Sequence, residues 1–151
     1  MTQTTPASRI LVVDDNEQNR ELIIAYLDDL EGCTVDTAAD GIEALDKTFG
    51  ENQPDIILLD VMMPRMSGFE VCRKLKTNPQ TRDIPIIMIT ALNELGDIER
   101  AVENGTDDFI TKPVNRLELV TRIKSLLRVR HLKNELDRTL AHFSNLDEKV
   151  N

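Results

Sequence analysis

Pro54-Asp55-Ile56-Ile57-Leu58-Leu59-Asp60-Val61-Met62-Met63-Pro64 reads as a buried strand that ends on a carboxylate. Four apolar residues in a row, with no polar alternation, imply burial on both faces, as in an inner strand of a parallel sheet. Asp60 follows at once, and the residues after it must leave the sheet as a loop. The same construction recurs along the chain. Asp14-Asp15 follows Ile10-Leu11-Val12-Val13, Thr90 follows the apolar run 84–89, and Lys112-Pro113 follows Phe109-Ile110-Thr111. Ligands of open parallel sheets bind outside the carboxyl ends of the strands. Four such ends therefore bring three carboxylates, one hydroxyl and one ammonium toward a single site. That set suits a divalent cation and a phosphoryl group.

Between these ends the pattern alternates strand and helix. Residues 9–13, 33–37, 56–59, 84–89 and 108–110 read as strands, the second of them alternating apolar and polar as an edge strand does. Residues 16–30 have helical spacing, with Leu22, Ile23, Tyr26, Leu27 and Leu30 on one face. Residues 41–49 form a second helix with Ile42, Leu45 and Phe49 inward. Residues 68–76 form a third, broken by Asn78-Pro79, and 93–104 a fourth, ended by Gly105. Pro113 sits where it favours a helix start. Five strands alternating with five helices predict a doubly wound five-stranded parallel α/β sheet, with helices on both faces and an extended C-terminal helix.

Composition narrows the function classes. The 151 residues are one domain's worth, with 40% hydrophobic and 30% charged residues. Aromatics make up only 3%, so the core is expected to be aliphatic. The apolar runs are strand-sized, too short for a transmembrane helix, and residues 1–8 are polar, without a signal-peptide core. The expected location is the cytoplasm, with a disordered N-terminus over 1–8. Cys33 and Cys72 lack a metal-ligand pattern and read as packed, reduced thiols. The net charge of −9 is uneven: residues 116–151 hold eight Lys/Arg against five Asp/Glu, leaving −12 on the first 115. An acidic body argues against direct nucleic-acid binding.

The last helix outruns the domain. From residue 115 to about 149 there is neither Gly nor Pro. Heptad spacing selects Leu126, Val129, Lys133, Leu136, Leu140, Phe143, Asp147 and Val150. A helix of ~35 residues is ~50 Å long, so about its second half overhangs. The reading is a domain over 9–127 and a helical extension over 128–151 that serves as a coiled-coil dimer or a signalling linker, with a frayed or folded-back tail as the plainer alternative. Its uncapped ending leans toward a piece of a longer protein rather than a free-standing domain.

At the strand ends, Asp14, Asp15 and Asp60 repel one another unless a cation joins them. Mg²⁺ takes oxygen ligands and needs only one or two carboxylates. Asp60, facing a loop, is the candidate nucleophile for a covalent phosphoryl acceptor. Lys112 and Thr90 are placed to stabilise charge on the transferring oxygens. Singly, each residue has a plainer reading, such as Asp15 as a helix N-cap; together, in this order, they do not.

These residues carry a resemblance. LVVDD at 11–15, PDIILLDVMMP at 54–64, SGFEV at 67–71, IPIIMITA at 84–91 and FITKP at 109–113 resemble the receiver domain of two-component response regulators, over about residues 9–127. The resemblance implies the strand order 2-1-3-4-5. It implies Asp60 as phosphoacceptor, with Asp14, Asp15, Asp60 and the backbone carbonyl of Met62 binding Mg²⁺. Thr90 and Lys112 would bind the phosphoryl group, and Phe109 would sit at the switch-aromatic position. Ala91 and Pro113 support the site, with a cis bond before Pro113. The implied partner is a histidine kinase or phosphotransfer protein, with a possible homodimer through the last helix. The chain would catalyse only its own phosphoryl uptake and release. Met62 and Leu92, two residues past Asp60 and Thr90, are apolar where the attacking water passes in the family, which implies a long-lived aspartyl phosphate. Two alternatives stand beside this reading. A haloacid-dehalogenase-like phosphohydrolase would want a second acid where Met62 stands. A constitutive dimerisation module would keep only a vestigial site.

Overall fold

The computed structural model describes residues 7–91 and 95–150, with only the backbone described for 95–98 and 146–150. Ten elements alternate: β1 (Ser8–Val13), α1 (Glu17–Tyr26), β2 (Cys33–Ala38), α2 (Gly41–Thr48), β3 (Ile56–Asp60), α3 (Gly68–Lys76), β4 (Ile86–Thr90), α4 (Leu95–Glu103), β5 (Asp108–Thr111) and α5 (Arg116–Val150). The five strands form one parallel sheet in the order β2-β1-β3-β4-β5.

Side-chain alternation divides the core between the two sheet faces. Leu11 and Val13 of β1, Ile57 and Leu59 of β3, and Ile86 and Met88 of β4 pack with α2, α3 and Ala101 of α4. Their neighbours Ile10, Val12, Ile56, Leu58, Ile87 and Ile89 pack with Ile23 and Leu27 at α1 and with Leu119, Ile123 and Leu127 of α5. This explains the unbroken apolar runs: β1, β3 and β4 are buried on both faces. β2, at the edge, alternates as its sequence does.

Several boundaries and faces differ from the sequence reading. Ser8 already belongs to β1 and is buried, its backbone N–H held by the Gly32 carbonyl at 3.1 Å. α1 stops at Tyr26, and residues 27–30 continue as hydrogen-bonded turns. Leu22 is 48% exposed, because the inward positions are 23, 26, 27 and 30. On α2, Ile42 and Phe49 face solvent, while Gly41, Ala44 and Thr48 are buried. Gly41 can lie against α3 because it has no side chain: a Cβ there would come within 2.8 Å of Val71. β4 begins at Ile86 rather than 84, after Pro85. The expected start of the fourth helix at 93 lies outside the described residues. Pro113 does not begin α5. Asn115 caps it, its side chain accepting the Glu118 N–H at 3.0 Å.

α5 is one helix of 35 residues, about 50 Å long by its rise. Its described side-chain contacts with the domain end at Arg130, His131 and Lys133. His131 Nε2 lies 2.9 Å from Ser8 Oγ, Arg130 donates to the Asp83 carbonyl, and Lys133 pairs with the Asp83 carboxylate at 2.6 Å. Residues 135–145 are all exposed. The free apolar stripe is Val129, Leu132, Leu136, Leu140 and Phe143. Lys133 therefore leaves the expected heptad seam for Asp83, and Leu132 takes its place. The side chains of Asp147 and Val150 lie outside the described residues.

Candidate functional site

Strand register builds the site. Val13 lies opposite Leu59, so the next residues, Asp14 and Asp60, emerge side by side on β1 and β3. Asp60 lies opposite Ile89, and Thr90 opposite Thr111, so Thr90 and Lys112 continue the row on β4 and β5. The chain reverses direction across the sheet between β1 and β3, and the crevice at such a switch point is where ligands bind in open α/β sheets.

Asp14, Asp15 and Asp60 each place a carboxylate oxygen within 4.8 Å of the others. Asp14 and Asp60 are buried, at 1% and 4% exposure, while Asp15 faces solvent. Lys112 reaches across with its Nζ 3.2 Å from Asp60 Oδ1 and 3.8 Å from Asp14 Oδ2. Burial, reinforced by the charge of Asp14, raises the Asp60 carboxyl above its ordinary range, and Lys112 opposes the rise. Three hard oxygen donors around an under-compensated charge match what a divalent oxygen-seeking cation takes. Thr90 is buried, and its carbonyl accepts the Lys112 N–H at 2.7 Å, which ties the two strand ends together. Phe109 is half-buried against the core face that carries α3 and α4. The Lys112–Pro113 bond is cis, as the resemblance implied. Ala91 is exposed just past β4, the Met62 side chain is 62% exposed, and Leu92 lies outside the described residues.

Asp15 is not the N-cap of α1. Asn16 is, accepting the Asn19 N–H at 3.0 Å, and Asp14 Oδ1 accepts the Asn16 N–H at 2.9 Å. The capping work falls on Asn16, so both aspartates remain in the crevice. Two further residues shape the site. Arg20 donates to the Asp14 carbonyl at 2.7 Å and fixes the β1 end. No local pattern signals it, since the contact depends on how α1 folds back. Gly68 begins α3 directly against Asp60. A Cβ there would sit 2.2 Å from the Asp60 carbonyl oxygen, while the Gly68 N–H donates to the Val61 carbonyl at 2.9 Å. Ser67-Gly68 ahead of an apolar helix was its visible trace: Ser67 caps α3. A separate cavity of about 220 Å³ lies beside β1 and β2, lined by Arg9, Thr34 and Lys47, away from the aspartates.

Among the described residues no helix is long and apolar enough to cross a membrane. Both cysteines are free, and burial pushes the Cys72 thiol up to about 11.

Comparison with known proteins agrees with this geometry. The chain is 50% identical over 130 residues to the response regulator PleD of Caulobacter vibrioides, covering 86% of this chain and 28% of PleD. It is 38% identical over 120 residues to the DNA-binding dual master transcriptional regulator RpaA of Synechocystis, covering 80% of this chain and 49% of that protein. The chain thus spans well under two thirds of the length of these curated relatives. Among solved structures, it resembles the signal receiver domain of a signal transduction histidine kinase from Syntrophus aciditrophicus. That match has a TM-score of 0.74 at 38% identity and covers 81% of this chain and 91% of that one. A response regulator receiver domain protein from Methanospirillum hungatei gives a TM-score of 0.74 at 31% identity, covering 83% and 98%. Residues 10–124 match the family model of the response regulator receiver domain, and the chain belongs to that family.

Proposed function

We propose that this chain is a phosphorylation-dependent switch in which Asp60 accepts a phosphoryl group from a histidine kinase or phosphotransfer protein. The observation that carries the reading is the grouping of three carboxylates within 4.8 Å, with Lys112 Nζ 3.2 Å from Asp60. A carboxylate oxygen of Asp60 attacks the phosphorus as its bond to the donor's imidazole nitrogen breaks. Asp14, Asp15, Asp60 and the Met62 backbone carbonyl are the residues to hold Mg²⁺, which supplies charge neutralisation on the phosphoryl oxygens. Lys112, already across the crevice, offsets the remaining charge, and the Thr90 hydroxyl donates to a phosphoryl oxygen.

The added charge, near −2, draws Thr90 and Lys112 toward Asp60, and α4 and β5 repack with Phe109. The output passes to a partner surface or along α5, whose exposed stripe from Val129 to Phe143 pairs with a second copy as a coiled coil. A long-lived acyl phosphate fits the apolar Met62 at a position that flanks the attacking water. Labelling with acetyl phosphate tests the core of this reading. Wild type takes up one phosphoryl group in the presence of Mg²⁺, and Asp60→Asn takes up none. Labelling of the variant at the wild-type level sinks the assignment, and loss of wild-type label within seconds sinks the long lifetime.

A further inference from the structure

α3 stands between the Asp60 end of β3 and α4, and one of its faces forms a ladder of three contacts. Phe69, Cys72 and Lys76 fall at i, i+3 and i+7, the spacing of one helix face. Each meets one residue of α4 or of the turn behind it. The guanidinium carbon of Arg100 lies 4.4 Å from the Phe69 ring centroid. The Cys72 thiol donates to the Asn104 carbonyl at 3.2 Å. Lys76 Nζ pairs with Asp107 at 2.6 Å.

The rung farthest from the phosphoacceptor is the strongest. Lys76 also donates to the carbonyls of Ile84 at 2.8 Å and Arg82 at 3.2 Å, and Asp107 also accepts the Ile86 N–H at 2.7 Å. That rung is a charge-assisted, multiply braced anchor. Gly105 packs against the Lys76 stem with φ +86, where a side chain would be strained. The middle rung is a single thiol bond, a weak donor. The top rung is one cation–π contact made by an exposed arginine, worth a factor of about 2–5 in an equilibrium. The helix carrying Phe69 begins at Gly68, pressed on the Asp60 backbone.

We infer that Arg100 is a positioning residue: seated on Phe69, it latches α4 to α3 near the phosphoacceptor while the Asn104–Asp107 base acts as a fixed pivot. The latch belongs to the arrangement in which Asp60 is a free carboxylate paired with Lys112. Releasing it lowers the cost of the α4 rearrangement that accompanies phosphoryl capture. The inference rests on the reading of Asp60 as phosphoacceptor.

Calorimetric titration of the full chain with beryllofluoride in Mg²⁺ buffer tests it. Arg100→Met keeps the alkyl stem at an exposed site and removes the cation. It is expected to bind beryllofluoride about 2–5-fold more tightly than wild type. Arg100→Lys, which retains a cation over the ring, is expected to fall between the two. Phe69→Leu should tighten binding to a similar extent, and the double variant should be no tighter than either single one, because both remove the same contact. Unchanged or weaker binding by Arg100→Met, or singles that multiply in the double variant, overturns the latch. If wild type does not bind beryllofluoride, or Asp60→Asn binds as well, the phosphoacceptor reading itself fails and the latch with it. Normal wild-type binding with an unchanged Arg100→Met condemns the latch alone.

Discussion

Gly68 and Asp60 show how a site depends on a residue without chemistry of its own. Gly68→Ala would place a Cβ 2.2 Å from the Asp60 carbonyl oxygen, and the obstructing atoms are backbone. The helix-propensity gain of about 1 kcal/mol for alanine does not offset the backbone shift, which costs about 1–3 kcal/mol or more. We expect a Tm lower by about 2–4 °C for each net kcal/mol, together with slower phosphoryl uptake, read by thermal melting and acetyl phosphate labelling. A Tm at or above that of wild type contradicts the tight approach. At this scale the sequence was legible wherever a polar residue closed an apolar run. Asp14, Asp15, Asp60, Thr90 and Lys112 all stand at neighbouring strand ends because β-register carries sequence order into space. Arg20 and Arg100 were not legible as site residues, since each acts through a contact between elements that no local spacing encodes; Gly68 showed only as a helix start.

Elements were legible where burial and period agree. β1, β3 and β4 are buried on both faces and read as unbroken apolar runs. α1 and α2 were misread in part because apolar residues also stand on their exposed faces: Leu22, Ile42 and Phe49 satisfied the helical period but not the packing. α5 was legible in length, but its free face was not. Burial of Leu119, Ile123 and Leu127 against the sheet sets the phase of the helix, which turns Lys133 toward Asp83 and Leu132 outward, and Asp83 precedes Lys133 by fifty positions. The hydrogen bond from Lys133 holds the Asp83 carboxyl below its ordinary range. A depressed folded value means that the pair stabilises the fold above the ordinary carboxylate pKa, near 4. That contribution is lost as pH falls through the depressed value. Both side chains are more than 40% exposed, so the pair is worth under about 1 kcal/mol. Lys133→Met should therefore be slightly less stable than wild type to urea at pH 7, with the gap closing in acid. A gap that persists or widens in acid contradicts the pairing.

For the molecule as a whole, the sheet order came from family resemblance rather than from periodicity, which sets the elements but not their neighbours. The structure agrees with it, down to the switch point between β1 and β3. The overhang beyond Lys133 is where the output reading is tested. Val129, Leu132, Leu136, Leu140 and Phe143 are each more than half exposed, and a second copy would cover them as a coiled coil. The mass in solution should be that of a dimer at micromolar concentration, and Leu136→Asp should shift it toward the monomer while Asp60 still labels. A monomer with and without a phosphoryl mimic contradicts the coiled coil. It leaves the crevice untouched, because site and stripe lie on separate parts of the molecule.

The most direct test of the switch is chemical. After incubation with acetyl phosphate and Mg²⁺, borohydride converts an aspartyl phosphate to homoserine, and peptide mass spectrometry locates it. The conversion should fall at Asp60 alone and should disappear when the cation is removed by chelation. Conversion at another residue, or undiminished uptake without a divalent cation, contradicts the assignment of Asp60 and of the acidic cluster around it.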